Sequence, residues 1–329
     1  MEAKKTPSRV ILRAASADNL CSRVLECMDF CEWKTWIKPD ATVVVKPNLC
    51  TAVPDKWEMS NTAPALARAV CEVLLSRTKR IYLAEADGLR QTAWEAFHIS
   101  HYEELARDLG IELVNLSELV CTKAHVPPAG DIEIPRLLLE SHAFITLPVL
   151  KTHALTYFTG ALKNQWGCLP HYDRILWHKY LDQMLVSLHR LLKPRIALMD
   201  GIICMEGRGP ANGKPRRLNV LLASQDAVAL DSTAMRLVGL EPTRAVHVAL
   251  AAQQGLGHMS SEEIEVDGDW SKHRTQFEPA VLDKAIAMMN FMSRYRWFVK
   301  YALEQDYVFY PVRAFVQVLR RVGLVEGGS

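Results

Sequence analysis

The sequence predicts an α/β protein with a Rossmann-like, mostly parallel sheet, helices on both faces and a helical extension at the C-terminus. Short β-branched apolar runs alternate along the chain with segments whose apolar residues recur at helical spacing. This alternation is typical of parallel strands joined by right-handed crossovers. The length of 329 residues suits two lobes, or one large α/β domain with an extension.

The predicted strands are residues 9–15, 42–49, 80–87, 111–116, 143–150, 195–202 and 219–226. The predicted helices are residues 63–77, 94–110, 175–192, 227–238 and 243–254, with another between the first two strands. Gly110 is expected to end the 94–110 helix. The segment 117–140 is mixed, and residues 261–279 are polar and irregular. We therefore expect an N-terminal α/β lobe (1–140), a second α/β lobe (141–260), and a linker with a basic, aromatic helical tail (261–329).

Composition excludes several classes of protein. A net charge of +2 argues against nucleic-acid binding by bulk electrostatics, so any basic site is expected to be local. No apolar run has the roughly 18–20 residues that cross a bilayer, and the N-terminal residues lack the apolar core of a signal peptide. The eight cysteines are scattered without a C-x-x-C pair, which favours the cytoplasm as the location.

Polar side chains follow the predicted strands at the points where the strands end. In parallel sheets, ligands bind beyond these carboxyl ends. The residues concerned are Lys46 and Asn48 after the second strand, Glu85 and Asp87 after the third, Lys151, Thr152 and His153 after 143–150, Asp200 and Glu206 after 195–202, and Asp226 and Asp231 after 219–226. Together they predict one polar rim.

The stretch TGALKNQWG (159–167) adds two further candidates, Lys163 and Asn164. It can begin a helix with Thr159 as N-cap and Gly167 as the stop. The two side chains would then lie near a helix N-terminus, where exposed amides favour an anion. The alternative is a solvated helix face. His171 and His178 follow in an aromatic segment, where histidine is more often structural.

The stretch GRGPANGKPRR (207–217) is glycine-rich and basic, but Pro210 interrupts it and its spacing is not that of a dinucleotide-binding loop. A hairpin or lid is one interpretation. Contact with an anionic ligand through Arg208, Lys214 and neighbouring basic residues is the other.

These motifs resemble one family, the domain-of-unknown-function family 362. The resemblance rests on VVVKPNL, LPVLKTHALTYFTGALKNQWG, DGIICMEGRGPANGKP and ASQDAVALD, and it covers roughly residues 9–260. It implies that Lys46, Asn48, Lys151, His153, Lys163, Asn164, Asp200, Glu206, Asp226 and Asp231 are motif positions. Some members carry a ferredoxin-like iron–sulfur module, but this chain has no C-x-x-C-x-x-C run. It also has Trp166 where the family usually has an aliphatic residue or Phe, and we expect the Trp to narrow the pocket.

The favoured function is an enzyme acting on a small or lipid-like carboxylate or phosphate by metal-assisted acid/base chemistry, of lyase, isomerase or transferase type. The assigned catalytic residues are His153, as the acid or base, with Lys151, Lys163 and Glu206. The substrate-binding residues are Lys46, Asn48, Thr152, Asn164, Arg208 and Lys214, and the metal ligands are Asp200, Asp226 and Asp231. Oxygen ligands suit Mg²⁺ or another divalent ion. The alternatives are a redox or organic-cofactor-dependent enzyme, with the cofactor undetermined, and a non-catalytic anion- or metal-binding protein.

The tail from residue 279 interleaves basic and aromatic side chains, among them Arg294, Arg296, Trp297, Arg313, Arg320 and Arg321. Packing on the body, a lid over a substrate with a hydrophobic tail, and peripheral contact with a membrane all fit this pattern. Nucleic acid is not expected as a partner, and the sequence leaves the oligomeric state open.

Overall fold

The computed structural model describes residues 6–282, 284–305, 307–308, 311 and 314–315. Its strands are Ser8–Ala14 (β1), Val43–Pro47 (β2), Ile81–Glu85 (β3), Glu112–Asn115 (β4), Cys121–Val126 (β5), Gly130–Pro135 (β6), Ala143–Leu147 (β7), Val149–His153 (β8), Tyr157–Thr159 (β9), Ile196–Glu206 (β10), Lys214–Ser224 (β11) and Ile264–Asp267 (β12). Each predicted strand is present, with ends that differ by a few residues.

The helices lie between these strands. They are Leu20–Phe30 (α1), Trp33–Trp36 (α2), Trp57–Ser60 (α3), Pro64–Leu75 (α4), Ala93–Ile99 (α5), Tyr102–Leu109 (α6), Arg136–Glu140 (α7), Ala161–Asn164 (α8), Leu181–Leu192 (α9), Ala227–Leu237 (α10), Val246–Gln253 (α11), Lys284–Met292 (α12) and Arg296–Phe298 (α13). A π-helical turn, Val299–Leu303, follows α13.

One ten-stranded sheet runs through the body in the order β12-β1-β11-β10-β7-β2-β3-β4, with β8 pairing β10 and β9 pairing β8. The pairs β10/β7, β7/β2, β2/β3 and β3/β4 are parallel, as predicted. Strand β11 is antiparallel to both of its neighbours, β1 and β10. Strands from residues 1–140 and from residues 141–260 therefore share a single sheet.

Alternate residues of the central strands enter opposite cores. Val43 and Val45 pack with α1, α4, α5 and α6 on one face, whereas Val44 packs with α9 on the other. All three valines are fully buried, which explains why the sequence of this strand is apolar at consecutive positions and does not alternate with polar residues. Helices thus cover both faces of the sheet, and the described helices do not cover the edge where the parallel strands end.

Several local predictions needed correction. The predicted 94–110 helix is two helices, because His101 adopts a left-handed conformation (φ 59°) between α5 and α6. Gly110 ends α6 in the left-handed region (φ 64°), as expected. The first part of the predicted 175–192 helix is 3-10 helix, Tyr172–Tyr180, and only α9 is α-helical.

Three connecting segments have structure of their own. Residues 207–213 join β10 and β11 as a hairpin, which is the first of the two interpretations of this stretch. The mixed segment 117–140 contains the antiparallel pair β5/β6. Part of the polar segment 261–279 was wrongly predicted as irregular, since β12 pairs in parallel with β1 through the alternating sequence IEVD.

The described part of the tail is packed on the body along one side. Ser293, Val299 and Leu303 are buried, and Arg90 donates a hydrogen bond to the carbonyl oxygen of Leu303 at 2.9 Å. The tail residues Arg313, Arg320 and Arg321 lie outside the described residues. Within the part of the chain that is described, no helix is long and apolar enough to cross a membrane.

Candidate functional site

A cavity of about 220 Å³ opens at the carboxyl ends of β2 and β3, beside β8 and α8. This is the edge where the sequence predicted a polar rim. The residues that line it are Lys46, Asn48, Leu49, Cys50, Glu85, Ala86, Gly88, Arg90, Gln91, Lys151, His153, Thr159, Lys163, Asn164, Trp166, Gly167, Arg174 and Pro210.

Lys46 and Glu85 form a buried ion pair at the floor of the cavity. The Lys46 Nζ lies 2.6 Å from Glu85 Oε2, and the ammonium also donates to the carbonyl of Pro47 at 2.9 Å. The Glu85 carboxylate accepts two further hydrogen bonds, from the backbone N–H groups of Leu49 and Ala86. Both charges are thus compensated without a ligand.

Lys151 is held from the other side of the cavity. Its ammonium donates to the carbonyl oxygen of Ser60 at 2.6 Å and lies 3.0 Å from the Sγ of Cys50. Cys50 in turn lies within 3.5 Å of the carbonyl oxygen of Pro210, in the β10–β11 hairpin. The Lys151 ammonium is therefore held by two neutral acceptors, the Ser60 carbonyl oxygen and the Cys50 sulfur.

His153 is held as a neutral imidazole. Its Nδ1 accepts hydrogen bonds from the backbone N–H groups of Leu155 and Thr156, at 3.1 and 3.2 Å. Burial, followed by the positive charges of Lys163 and Lys151, lowers the pKa of His153 well below its usual value. With Nδ1 occupied as an acceptor, the hydrogen of the neutral ring is on Nε2. His153 is therefore arranged to donate a hydrogen bond rather than to accept a proton there.

Lys163 contrasts with the other two cavity lysines. Its ammonium has no hydrogen-bond or ion-pair partner among residues 6–282 or the described tail positions, and the side chain is half-buried at the cavity wall. Burial, then the positive charges of Lys151 and Arg174, lowers the pKa of Lys163 to about 7. At neutral pH a large share of this side chain is a free amine.

Arg174 adds a further cation from the 3-10 helix Tyr172–Tyr180. Its guanidinium donates to the backbone carbonyl oxygens of Leu169 and His171. Burial lowers the pKa of Arg174, although a guanidinium stays charged at neutral pH. Nearby, His178 packs against the Trp166 ring at 5.7 Å, and burial lowers the pKa of His178 to about 3. His178 is thus structural and neutral.

The carboxylate of Asp231 holds the helix that carries Lys163. Asp231 accepts from the backbone N–H groups of Ala161 and Leu162, at 2.7 and 3.1 Å. The N-cap of α8 is Gly160, one residue after the predicted Thr159. A Cβ on residue 160 would overlap the Asp231 carboxylate, so this close approach requires glycine. Burial raises the pKa of Asp231 to about 7. The α8 N-terminus is thus occupied by protein.

Three of the predicted substrate-binding residues make hydrogen bonds to other parts of the protein. Asn164 donates to the carbonyl of Lys46 and to Thr146 Oγ1, which ties α8 to β2 and β7. Asn48 donates to the carbonyl of Ser60. Thr152 donates to the carbonyl of Gly207 and does not line the cavity. These side chains position the cavity walls.

The predicted metal ligands do not form one site. Asp200 accepts from the backbone N–H groups of Ala63 and Ile202, and burial raises its pKa to about 6. Asp226 is the N-cap of α10 and accepts from Val228 and Ala229. Asp231, in α10, accepts from the amides of α8. Each of the three carboxylates thus binds backbone amides at a separate place. Among the described residues no group of three or more His, Cys, Asp or Glu side chains could hold a metal ion.

The hairpin residues predicted for catalysis or binding lie away from the cavity wall. Glu206 accepts from Arg216 at 3.0 Å and from the backbone N–H of Glu278. Lys214 pairs with Glu278 at 3.0 Å. Neither of these nor Arg208 lines the cavity, whereas Pro210 of the same hairpin does.

Sequence reasoning missed several cavity residues. Arg174 lies in the aromatic segment from which only His171 and His178 were considered, and Cys50 was not among the predicted site residues. Thr159 Oγ1, predicted as an N-cap acceptor, is instead a buried hydroxyl at the cavity wall with no partner in the described structure. Glu85 and Lys46 were both predicted at strand ends, but the ion pair between them was not predicted.

Comparison with known proteins places the chain in one family. The family model described as "Domain of unknown function (DUF362)" matches residues 43–236, more than half of the chain. The thylakoid-associated protein sll1697 of Synechocystis sp. is 28% identical over 230 residues, which are 68% of this chain and 70% of that protein.

Two solved structures were also matched, each at 13% identity. A protein from Thermotoga maritima gives a TM-score of 0.40 over 72% of this chain and 59% of its own. The lactate racemase apoprotein of Thermoanaerobacterium thermosaccharolyticum gives 0.45 over 66% of this chain and 54% of its own. The chain thus spans less than two thirds of either structure. By the match over residues 43–236, it belongs to the DUF362 family.

Proposed function

We propose that this protein is an enzyme that acts on a small anionic substrate, a carboxylate or a phosphate, bound in the cationic cavity. One observation carries the proposal. Lys151, Lys163 and Arg174 line one cavity, and among the residues that the structure describes none of them forms a direct ion pair with a carboxylate, although Glu85 attracts the Arg174 guanidinium. Glu85, which lines the same cavity, is already paired with Lys46.

Like charges gathered in a half-buried space repel one another, and their burial costs free energy. An anion in the cavity would offset both costs. Thr159 Oγ1 and the Nε2–H of His153 would supply neutral hydrogen bonds to the same ligand. The cavity volume of about 220 Å³ is below the roughly 300–1,000 Å³ of pockets for drug-sized molecules, so the bound group is small.

Lys163 is the best candidate for proton transfer. A base or acid works best when its pKa is near the working pH, and the pKa of Lys163 is about 7. We therefore assign to Lys163 the acid/base role that the sequence suggested for His153, and to His153 the role of hydrogen-bond donor. Lyase, isomerase and transferase reactions all contain such a step. The proposal has no metal step, because Asp200, Asp226 and Asp231 already accept backbone N–H groups at separate places.

Isothermal titration calorimetry of the purified full-length protein with sulfate, phosphate and small carboxylates at pH 6 tests anion binding. We expect Lys163→Met and Lys151→Met to weaken binding about tenfold or more, and the exposed Lys38→Met to leave it unchanged. If the wild type binds none of these anions, the proposal is wrong.

Proton exchange separates an enzyme from a non-catalytic binder. Small carboxylates incubated with the protein in D₂O are followed by proton NMR, which reports replacement of C–H by C–D. An enzyme with Lys163 as its base should catalyse exchange for one of the bound acids, and Lys163→Met should abolish it. Binding without any exchange would favour the non-catalytic alternative.

A second proposal concerns a membrane surface, and an exposed face of the tail supports it. Phe291, Tyr295, Trp297 and Tyr301 are between 45% and 60% exposed. Arg294, Arg296 and Lys300 are exposed among them. Aromatic rings and cations on one surface suit the headgroup region of an anionic bilayer. The thylakoid association named for the Synechocystis relative agrees with this assignment.

Co-sedimentation with phosphatidylglycerol vesicles and with phosphatidylcholine vesicles tests this second proposal. We expect the wild type to pellet with the anionic vesicles, and the double variant Trp297→Ser/Tyr301→Ser to lose most of that binding. The exposed Trp94→Ser serves as a matched control outside the tail. Equal recovery of wild type and double variant in the supernatant would contradict the membrane assignment.

A further inference from the structure

Three lysines line the cavity, and the structure gives them different states. Lys46 is paired with Glu85, and Lys151 is bound by the Ser60 carbonyl and the Cys50 sulfur. Lys163 has no partner in the described part of the chain and faces a space large enough for a small ligand. A lysine that other cations hold in its neutral form is a nucleophile towards carbonyl carbon.

We propose that Lys163 forms an iminium with the carbonyl carbon of a small 2-oxo acid, whose carboxylate is bound by Lys151 and Arg174. This inference rests on the proposed function, since it takes the same cavity as an anion site, and it names the class of substrate and the covalent step. It differs from simple acid/base chemistry because Lys163 becomes bonded to the substrate.

The geometry favours a carbonyl next to the carboxylate. Lys151, Arg174 and Lys163 line the same cavity of about 220 Å³, so an anion that Lys151 and Arg174 bind there lies close to the Lys163 amine. In a 2-oxo acid the carbonyl carbon is bonded directly to the carboxylate carbon, which brings it within reach of the same Nζ. The Nε2–H of His153 is the available donor to the carbonyl oxygen.

The step is balanced without an oxidant or a metal. The lone pair of the neutral Lys163 amine attacks the carbonyl carbon, and the C=O π electrons pass to the oxygen, which takes a proton from solvent. The resulting carbinolamine loses an N–H proton and gains one on oxygen as water leaves. The sum is amine, oxo acid and one proton giving iminium and one water. The iminium then draws electrons from the adjacent carbon, which lowers the barrier to breaking a bond there.

Reductive trapping tests the inference on the full-length protein at pH 7. The protein is incubated with pyruvate, 2-oxobutyrate or 2-oxoglutarate and sodium cyanoborohydride, and is then analysed by intact mass and peptide mapping. We expect one adduct per chain on Lys163, with the mass of the acid less one oxygen atom. Labelling at Lys163 should exceed that at the exposed Lys38 at least tenfold. Propionate, which lacks the carbonyl, should give no adduct and should compete.

Two variants support the assignment. Lys163→Arg should abolish the specific adduct while the thermal midpoint stays within a few degrees of wild type. Lys151→Met should keep the amine but reduce trapping about tenfold, because the carboxylate site is weakened.

The outcomes separate this inference from the proposed function. If none of the three oxo acids labels Lys163 above Lys38 although sulfate or carboxylates bind by calorimetry, the iminium is overturned and the anion site stands. If no anion binds at all, both fail. Enrichment at Lys163 that the Lys163→Arg variant removes supports both.

Discussion

The ammonium of Lys46 lies 2.6 Å from the carboxylate of Glu85, and both side chains are almost fully buried, although they come from neighbouring strands 39 residues apart. The pair neutralises one lysine of the cavity. Among the described residues, Lys151 and Lys163 are the cavity lysines that have no carboxylate partner.

The Lys46–Glu85 pair should show strong coupling in stability. Glu85→Gln leaves the Lys46 ammonium buried without its counter-charge, so we expect a loss of about 3–5 kcal/mol in the free energy of unfolding. The double variant Lys46→Met/Glu85→Gln should lose less than the sum of the single variants. Urea denaturation of the four proteins measures the coupling. Strict additivity would show that the two charges do not interact in solution.

Lys163 should lower the stability of the protein at neutral pH. Its folded pKa of about 7 is below the ordinary value of 10.5, so the folded state gives up this proton more readily than the unfolded chain. The penalty is absent above pH 10.5 and grows as the pH falls to 7. Lys163→Met should therefore be more stable than wild type at pH 6.5, by on the order of 1–3 kcal/mol, with a smaller difference at pH 9.5.

Urea titrations at these two pH values check this expectation, and Lys38→Met serves as the exposed control. A variant that is less stable than wild type at pH 6.5 would mean that the Lys163 ammonium is compensated in solution.

Asp231 should contribute a distinct pH dependence. Its folded pKa of about 7 is above the ordinary 3.8, so the folded protein binds this proton more tightly than the unfolded chain. The resulting stabilisation is complete below pH 3.8 and is lost as the pH rises through 7. Asp231→Asn should reduce the fall in stability between pH 4 and 7 by up to about 1.4 kcal/mol per pH unit. A residual slope from Asp200, whose pKa is about 6, is expected.

The measurement is the urea midpoint at pH 4, 5, 6 and 7 for wild type, Asp231→Asn and the exposed control Asp18→Asn. If wild type and Asp231→Asn have parallel profiles, the carboxylate is ionised throughout this range and its burial is not maintained.

Gly167 should be essential for an open cavity. A Cβ at this position would lie 2.6 Å from Glu85 Oε1 and 2.8 Å from Lys46 Nζ. Gly167→Ala should therefore displace the ion pair, cost about 1–3 kcal/mol in stability and weaken anion binding about tenfold or more. Gly255→Ala is the control: a Cβ there meets no atom within 4 Å, so its positive φ (70°) adds backbone strain without a steric overlap at the cavity. Unchanged anion affinity in Gly167→Ala would place the ligand elsewhere.

The sequence by itself determined the fold class and the edge of the sheet where the cavity lies. Strand and helix periods are local properties of the chain, and the carboxyl ends of parallel strands must meet at one edge. Lys46, Lys151 and His153 were found in this way, and Lys163 was found from the helix-start pattern of residues 159–167. The structure brings all four into one cavity.

Only the tertiary structure decided what each side chain does there. The sequence of a buried carboxylate does not show whether it binds a metal or backbone amides. Asp231 binds the amides of α8 because α10, which carries it, packs against that helix, although Asp231 and Ala161 are 70 residues apart in the sequence. The contribution of Arg174 and the pairing of Lys46 with Glu85 likewise depend on distances between remote segments. Charge states follow from burial and neighbouring charges, so the amine of Lys163 could be recognised only in the folded chain.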